Sequence, residues 1–466
     1  MTTPLAPPAV LAELERAHDR DLAALLELAR IPSVSADPRH AGDVHAAAEL
    51  LATRLRTQAE LDVRLHATSG NPIVSASWRG APHAPTILVY GHYDVQPPDP
   101  VDAWTTPPFE PSIRDGRIYA RGISDDKAPL SIAIDTIGAY LRATGALPLN
   151  IVLLLEGEEE VGSPSLPAFA LCERARLQAD LVVSADGGMW RADHPTTLRS
   201  TRGLAALELS LRGAGKDLHS GRHGGALANP LHALAELVAS LHDEHGRVNV
   251  EGFYDDVLPL RPDLSAATRA LPFDDTAYLA EVGAPATYGE RGYSTLERQW
   301  YRPTLELNGM WGGYTGPGTK TVLPSRAHAK ITCRLVADQD PRRVLDAIER
   351  HLRRHVPTGV SLAVARSEHG TRAYHLPDHH PGLRAVTRSL HATYGVEPWV
   401  IGLGGSVPIC DTFLEQLGMA TVFFSFAVGD ENIHAPDEFF RLHRLAEGRR
   451  AWAELLARLP HELGDG

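Results

Sequence analysis

Two histidines and a set of carboxylates stand directly behind apolar runs of this sequence. Residues 86–90 lead into Gly91-His92-Tyr93-Asp94, and residues 151–155 into Glu156-Gly157-Glu158-Glu159-Glu160. Leu181–Ser184 leads into Ala185-Asp186-Gly187, and residues 421–428 into Gly429-Asp430-Glu431-Asn432-Ile433-His434. Asp125 and Asp126 stand just before a helical pattern that starts at Lys127. Histidine with carboxylate, and no thiolate, is a ligand set for zinc, manganese or cobalt. Like charges held close repel, and desolvation makes this worse, so either the carboxylates point into bulk water or cations neutralise them. Two histidines and three carboxylates would hold two metals if one carboxylate bridges, and a metal pair about 3.5–4 Å apart is a device for hydrolysis by a shared hydroxide.

Taken singly, each feature has an ordinary reading. A histidine after a strand is commonly a surface residue, and an acidic run is commonly a solvated loop. Asp125-Asp126 before a helix reads as an N-cap, a reading that stays fair for Asp126. Asp186-Gly187 alone is a turn signal. Two details weigh against the ordinary readings. The His-x-Asp spacing lets Asp94 hold the His92 imidazole in one tautomer. The acidic run at Glu156 follows five apolar residues without a turn, which pulls part of it against the core.

The elements that must position these residues alternate between short apolar runs and helical patterns. Helical spacing marks the stretch from Leu11 to Ala29, a segment near 43–55, and 127–144, where Leu130, Ile134, Ile137 and Leu141 share one face. With runs at Ile73–Trp78, 86–90, 151–155 and Leu181–Ser184, this pattern predicts an α/β fold with a mostly parallel central sheet and helices on both faces. Ligands in such sheets bind outside the carboxyl ends of the strands, which places His92, the 158–160 acids, Asp186 and His434 on one edge.

Around residue 200 the texture changes. Residues 204–211 and 322–336 alternate apolar and polar positions, as half-exposed antiparallel strands do. Asn229-Pro230 starts a helix, and another spans about 341–355. A smaller α+β domain at 201–374 is expected, inserted between a first catalytic part at 1–200 and a second at 375–466. Residues 251–302 carry no legible pattern.

Composition narrows the classes. A chain of 466 residues exceeds the roughly 250–300 at which a single core stops growing, so two domains are expected. Hydrophobic residues at 43% and charged residues at 22% exclude wholesale disorder. The 45 basic against 58 acidic side chains give a formal charge of −13, which argues against a nucleic-acid partner. Cys172, Cys333 and Cys410 lie far apart; they read as small buried hydrophobes and exclude a disulfide framework. No basic start with an apolar stretch marks a signal peptide, and no run approaches the roughly 20 apolar residues of a membrane span. A cytoplasmic location follows as the expectation.

The segments GHYDVQPP, ARGISDDKAP, EGEEEVGS, SADGG and ENIHAPDE resemble, in order, the motifs of the two-metal exopeptidases. That family holds carboxypeptidase G, the aminoacylases and the carnosinase-like non-specific dipeptidases; DLHSGRHGG and GGYTGPGTKTVLP point to the dipeptidase branch. The resemblance implies a metal-dependent dipeptidase acting through a hydroxide held between two divalent metals, zinc, manganese or cobalt. It implies His92 and Asp186 as ligands of one metal, His434 and Glu160 of the other, and Asp125 as the bridge, with a cis bond to Asp126. Glu159 is implied as general base, with Asp94 beside it in the catalytic set; Glu158 receives no role. From the inserted lid and dimerisation domain, His219 is implied to act across the subunits of a homodimer. Thr321, Arg334 and Ser406 are implied to contact the substrate, with the Arg334 guanidinium suited to a terminal carboxylate. The alternative within the same fold is an N-acyl amino-acid deacylase or a carboxypeptidase.

Overall fold

The computed structural model describes residues 5–57, 61–367 and 370–464; the first four residues of the N-terminal stretch lie outside them. The chain divides into two compact units. Met1–Arg199, Leu376–Ile401 and Pro408–Gly466 form the larger, and Ser200–His375 with Gly402–Val407 the smaller.

The larger unit is built on a six-stranded sheet. Its order is Asp62–His66, Ile73–Trp78, Asn150–Glu156, Thr86–His92, Leu181–Ser184 and Thr421–Phe423. The last four strands run parallel, while Ile73–Trp78 is antiparallel to both of its neighbours. Consecutive residues such as Ile87, Leu88, Val89 and Tyr90 are all buried. Successive side chains point to opposite faces, so both faces are covered, which is why these strands read as unbroken apolar runs. Helix Ala128–Thr144 is buried along almost its whole length and packs on Leu442–Gly464. Tyr140 Oη donates to the carbonyl of Ala453 at 2.8 Å, and Arg449 pairs with the buried Asp135 at 2.7 Å.

The structure departs from the sequence reading in several places. The first helical stretch is two helices, Pro8–Arg16 and His18–Ala29. The apolar run after 421 is a strand only for Thr421–Phe423; its remainder stays buried as irregular chain, and Val428 bridges to Met189. Cys172 ends a short helix and is exposed, so the buried reading holds only for Cys333 and Cys410. Residues 251–302 contain three short helices, the last of which, Thr295–Tyr301, begins with a Ser294–Glu297 capping box.

The smaller unit is a four-stranded antiparallel sheet in the order Thr304–Gly312, Arg326–Leu335, Gly203–Arg212, Ser361–Arg366. Alternate residues of Gly203–Arg212 are buried, and they pack with Leu234 and Leu237 of helix Pro230–Ala239 and Ile348 and Leu352 of helix Pro341–His355. The Asn229 side chain caps the first helix by accepting from Leu231 N at 3.0 Å. Among the described residues no helix is long and apolar enough to cross a membrane.

Candidate metal centre

The larger unit brings the acidic and histidine motifs together. His92 is the last residue of its strand and Glu156 the last of the neighbouring one, the two in register. Asp186 follows Leu181–Ser184, and Asp125 lies in a distorted turn before helix Ala128–Thr144. Asp125 Oδ1 lies 3.0 Å from His92 Nε2, and its Oδ2 lies 3.0 Å from His434 Nε2. Glu160 Oε2 is 3.3 Å from the same His434 nitrogen. The Asp125–Asp126 peptide bond is cis.

Two groups of ligand atoms converge, each within 4.8 Å: His92, Asp125 and Asp186, and Asp125, Glu160 and His434. One carboxylate with an oxygen in each group, plus an imidazole and a second carboxylate per group, fits a pair of divalent cations. The electrostatics agree. Burial, Asp186, Asp125 and Glu160 push Glu159 well above the usual carboxylate range, against the pull of His92. Asp186 is pushed up to about 6, chiefly by burial. Burial works to raise Asp125 too, yet the imidazoles of His434 and His92 hold it below its ordinary value. In return Asp125 and Glu160 push His434 up to about 10. Divalent cations held by these atoms would offset the repulsion among the carboxylates.

A surrounding set of residues, most of them buried, fixes these groups. Asp94 accepts from the backbone N–H of Glu159 at 3.2 Å and of Glu160 at 3.1 Å, so it shapes the acidic turn. Its side chain is 3.4 Å from His92 Nδ1, whereas its own backbone carbonyl is nearer at 3.1 Å and shares in orienting the ring. Gln96 Nε2 donates to Glu160 Oε2 at 2.9 Å. Asp126 is not an N-cap. It is buried, with Oδ2 accepting from His92 N at 3.2 Å and Oδ1 without a partner among the described residues. Gly91 permits this, since a Cβ there would stand 2.8 Å from Asp126 Oδ2.

Sequence reasoning missed four further acids. Glu158 is a structural tie: Oε1 accepts from Asn71 N at 2.8 Å and Oε2 from Ser165 N at 3.1 Å. Glu156 accepts from Tyr90 Oη at 2.5 Å and Ser163 Oγ at 2.9 Å, and burial pushes it up to about 7. Glu431 and Glu438 are fully buried on either side of His434. The available signal was that ENIHAPDE, read only for its histidine, carries two glutamates within eight residues.

The other sequence candidates lie in the smaller unit. His219 pairs with Val322 in a two-stranded ladder, and Thr321, which precedes Val322, accepts from Ser220 N at 3.0 Å. Gly221 N donates to His219 Nδ1 at 3.1 Å, which leaves Nε2 to carry the proton of the neutral ring. Arg334 Nη1 donates to Ser406 Oγ at 2.8 Å. Arg202 Nε holds the carbonyl of Gly404 at 2.8 Å, in the same loop as Ser406.

Comparison with known proteins agrees with this geometry. The Cys-Gly metallodipeptidase dug1 of Schizosaccharomyces pombe is 28% identical over 468 residues, covering 97% of each chain. The human Beta-Ala-His dipeptidase is 29% identical over 391 residues, 82% of this chain and 76% of its own. The solved structure of an M20 family metallo-carboxypeptidase from Sulfolobus solfataricus matches with a TM-score of 0.82 at 31% identity, covering 95% of this chain and all of that one. The model of peptidase family M20/M25/M40 matches residues 88–458. The chain is a metallopeptidase and belongs to that family.

Proposed function

We propose that the chain is a dipeptidase that hydrolyses the peptide bond of small peptides with a free carboxylate. The observation that carries this reading is Asp125, whose two oxygens each face a different imidazole at 3.0 Å. His92 and Asp186 would hold one divalent metal, Glu160 and His434 the other, with Asp125 shared; zinc, manganese and cobalt suit this donor set. Bound metals supply Lewis acidity, which acidifies water and polarises a carbonyl.

The chain's own residues do the rest. Glu159, beside the two groups of convergent ligand atoms but in neither, takes a proton from water on its carboxylate oxygen and delivers it to the leaving amine. Asp94 holds the turn from which Glu159 projects. His219, with Nε2 carrying the proton, is suited to donate to the developing oxyanion, and we read it as acting on the partner subunit's substrate within a homodimer. Thr321 would contact the substrate backbone, and Arg334 with Ser406 the terminal carboxylate. Three free cysteines accord with a cytoplasmic enzyme.

A carboxypeptidase or N-acyl amino-acid deacylase would use the same centre and differ at the amine end of the substrate. Rates on a dipeptide and its N-acetylated form, before and after chelation, separate the readings. The dipeptide is expected to be the better substrate, with turnover lost to chelator and restored by divalent metal. Cleavage of the acetylated form alone overturns the dipeptidase reading, and indifference to chelator overturns the metal centre.

A further inference from the structure

Only His434 of the segment from Glu431 to Glu438 enters the ligand set, yet both flanking glutamates converge on the loop that carries Asp125. Glu438 Oε2 accepts from Arg121 Nη1 at 2.7 Å and Gly122 N at 2.8 Å. Its Oε1 accepts from Ser124 N at 2.9 Å and Asp125 N at 3.2 Å. Glu431 Oε2 accepts from Ser124 Oγ at 2.5 Å and from Val428 N at 3.0 Å, while Oε1 takes Arg441 Nη1 at 3.0 Å. Register sets this convergence. Strand Phe439–Arg441 pairs with Arg117–Tyr119, and Ala120 N donates to the Glu438 carbonyl at 3.2 Å. Buried carboxylates that accept so many N–H and O–H donors leave few donors unsatisfied, and each is lost at a full desolvation penalty if the acceptor goes.

We propose that Glu438, seconded by Glu431, is a positioning residue for the metal pair, locking the Asp125 loop to the His434 segment so that their ligands are set before metal arrives. The inference rests on the two-metal reading above. It carries an asymmetry. Asp125 and His434, two of the three ligands in the Asp125–Glu160–His434 group, hang on this latch. In the His92–Asp125–Asp186 group only Asp125 does.

Glu438→Gln tests it, because an amide keeps the shape but turns an NH2 towards two N–H donors. The measurement is zinc titration of the metal-free chain against a chromogenic chelator, with the melting temperature recorded in parallel. Glu297→Gln serves as control: Glu297 is equally buried, accepting from Arg269 and Ser294 in the smaller unit. Wild type should take two equivalents. In E438Q one of the two equivalents should lose about 10–100-fold in affinity, the range for partners that orient metal ligands, and the other less. E297Q should lower the melting temperature and leave both equivalents unchanged. Two wild-type affinities in E438Q, or an equal loss at both sites, overturns the latch. Should E438Q fail to fold, Glu438→Asp keeps the charge but shortens the reach, and must show the same unequal weakening or the latch is wrong. A wild type that binds fewer than two equivalents overturns the two-metal reading itself, and the latch with it.

Discussion

Asp94 accepts a hydrogen bond from the backbone N–H of Glu160 at 3.1 Å, and its other oxygen accepts from Glu159 N at 3.2 Å. The same side chain stands 3.4 Å from His92 Nδ1. One buried carboxylate therefore ties the end of the His92 strand to the turn that carries Glu159 and Glu160. Asp94→Asn keeps the volume but faces one backbone N–H with an amide NH2. Turnover and metal affinity should each fall about 10–100-fold, as for other residues that orient metal ligands. Steady-state kinetics with metal titration checks this; an Asn variant with wild-type values would remove Asp94 from the set.

Glu159 makes a sharper case, because neither group of convergent ligand atoms includes it. Glu159→Gln should leave the metal content intact while kcat falls by about 10²–10⁴, the range for loss of a general acid–base. Metal analysis of the same sample that is assayed separates the two effects. Loss of metal together with activity would make Glu159 a ligand, and persistent turnover would move the proton-carrying role elsewhere.

The strands that position the centre were legible because they are buried on both faces and therefore apolar throughout, and because a charged residue directly behind such a run has few places to go. Antiparallel Ile73–Trp78 was not distinguishable from the parallel strands of the same sheet, since both kinds are apolar here and direction leaves no mark in composition. Strand Thr304–Gly312 is a sheet edge with exposed Leu307, Met310 and Trp311, so its pattern does not alternate cleanly. Glu158, Glu431 and Glu438 escaped for a common reason. Many of their partners are backbone N–H groups, at 71, 165, 428, 122, 124 and 125, and a backbone donor has no signature in sequence. Asp126 misled because a buried acid and an N-cap share the same position before a helix.

Glu156 yields a pH dependence whose sign is fixed. Its folded carboxyl is pushed up to about 7 from an ordinary 4.5, chiefly by burial. Between those values the folded chain binds more protons than the unfolded one, so stability is full below 4.5 and is lost as pH rises through about 7. Glu156→Gln can still accept from Tyr90 and Ser163 and has nothing to ionise. The metal-free variant should therefore keep its melting temperature where the wild type declines, and exceed it on the alkaline side. Parallel profiles across this window decide the point.

Arg334 has no carboxylate within ion-pair distance among the described residues; its Nη1 is given to Ser406 Oγ at 2.8 Å. Its neighbour Arg202 is pushed down to about 10 by burial and by the like charge of Arg334, against the pull of Glu306. Two guanidinium groups so placed favour an arriving anion, and Arg334 keeps N–H donors to spare for a carboxylate. Lysine preserves the charge but not the planar fork. Arg334→Lys should raise KM for a dipeptide by about 10–100-fold, the worth of one or two hydrogen bonds to a charged group. For the corresponding dipeptide amide, which lacks that carboxylate, the change should be small. Equal losses on both substrates would assign Arg334 to the architecture of the sheet rather than to the terminus it is proposed to read.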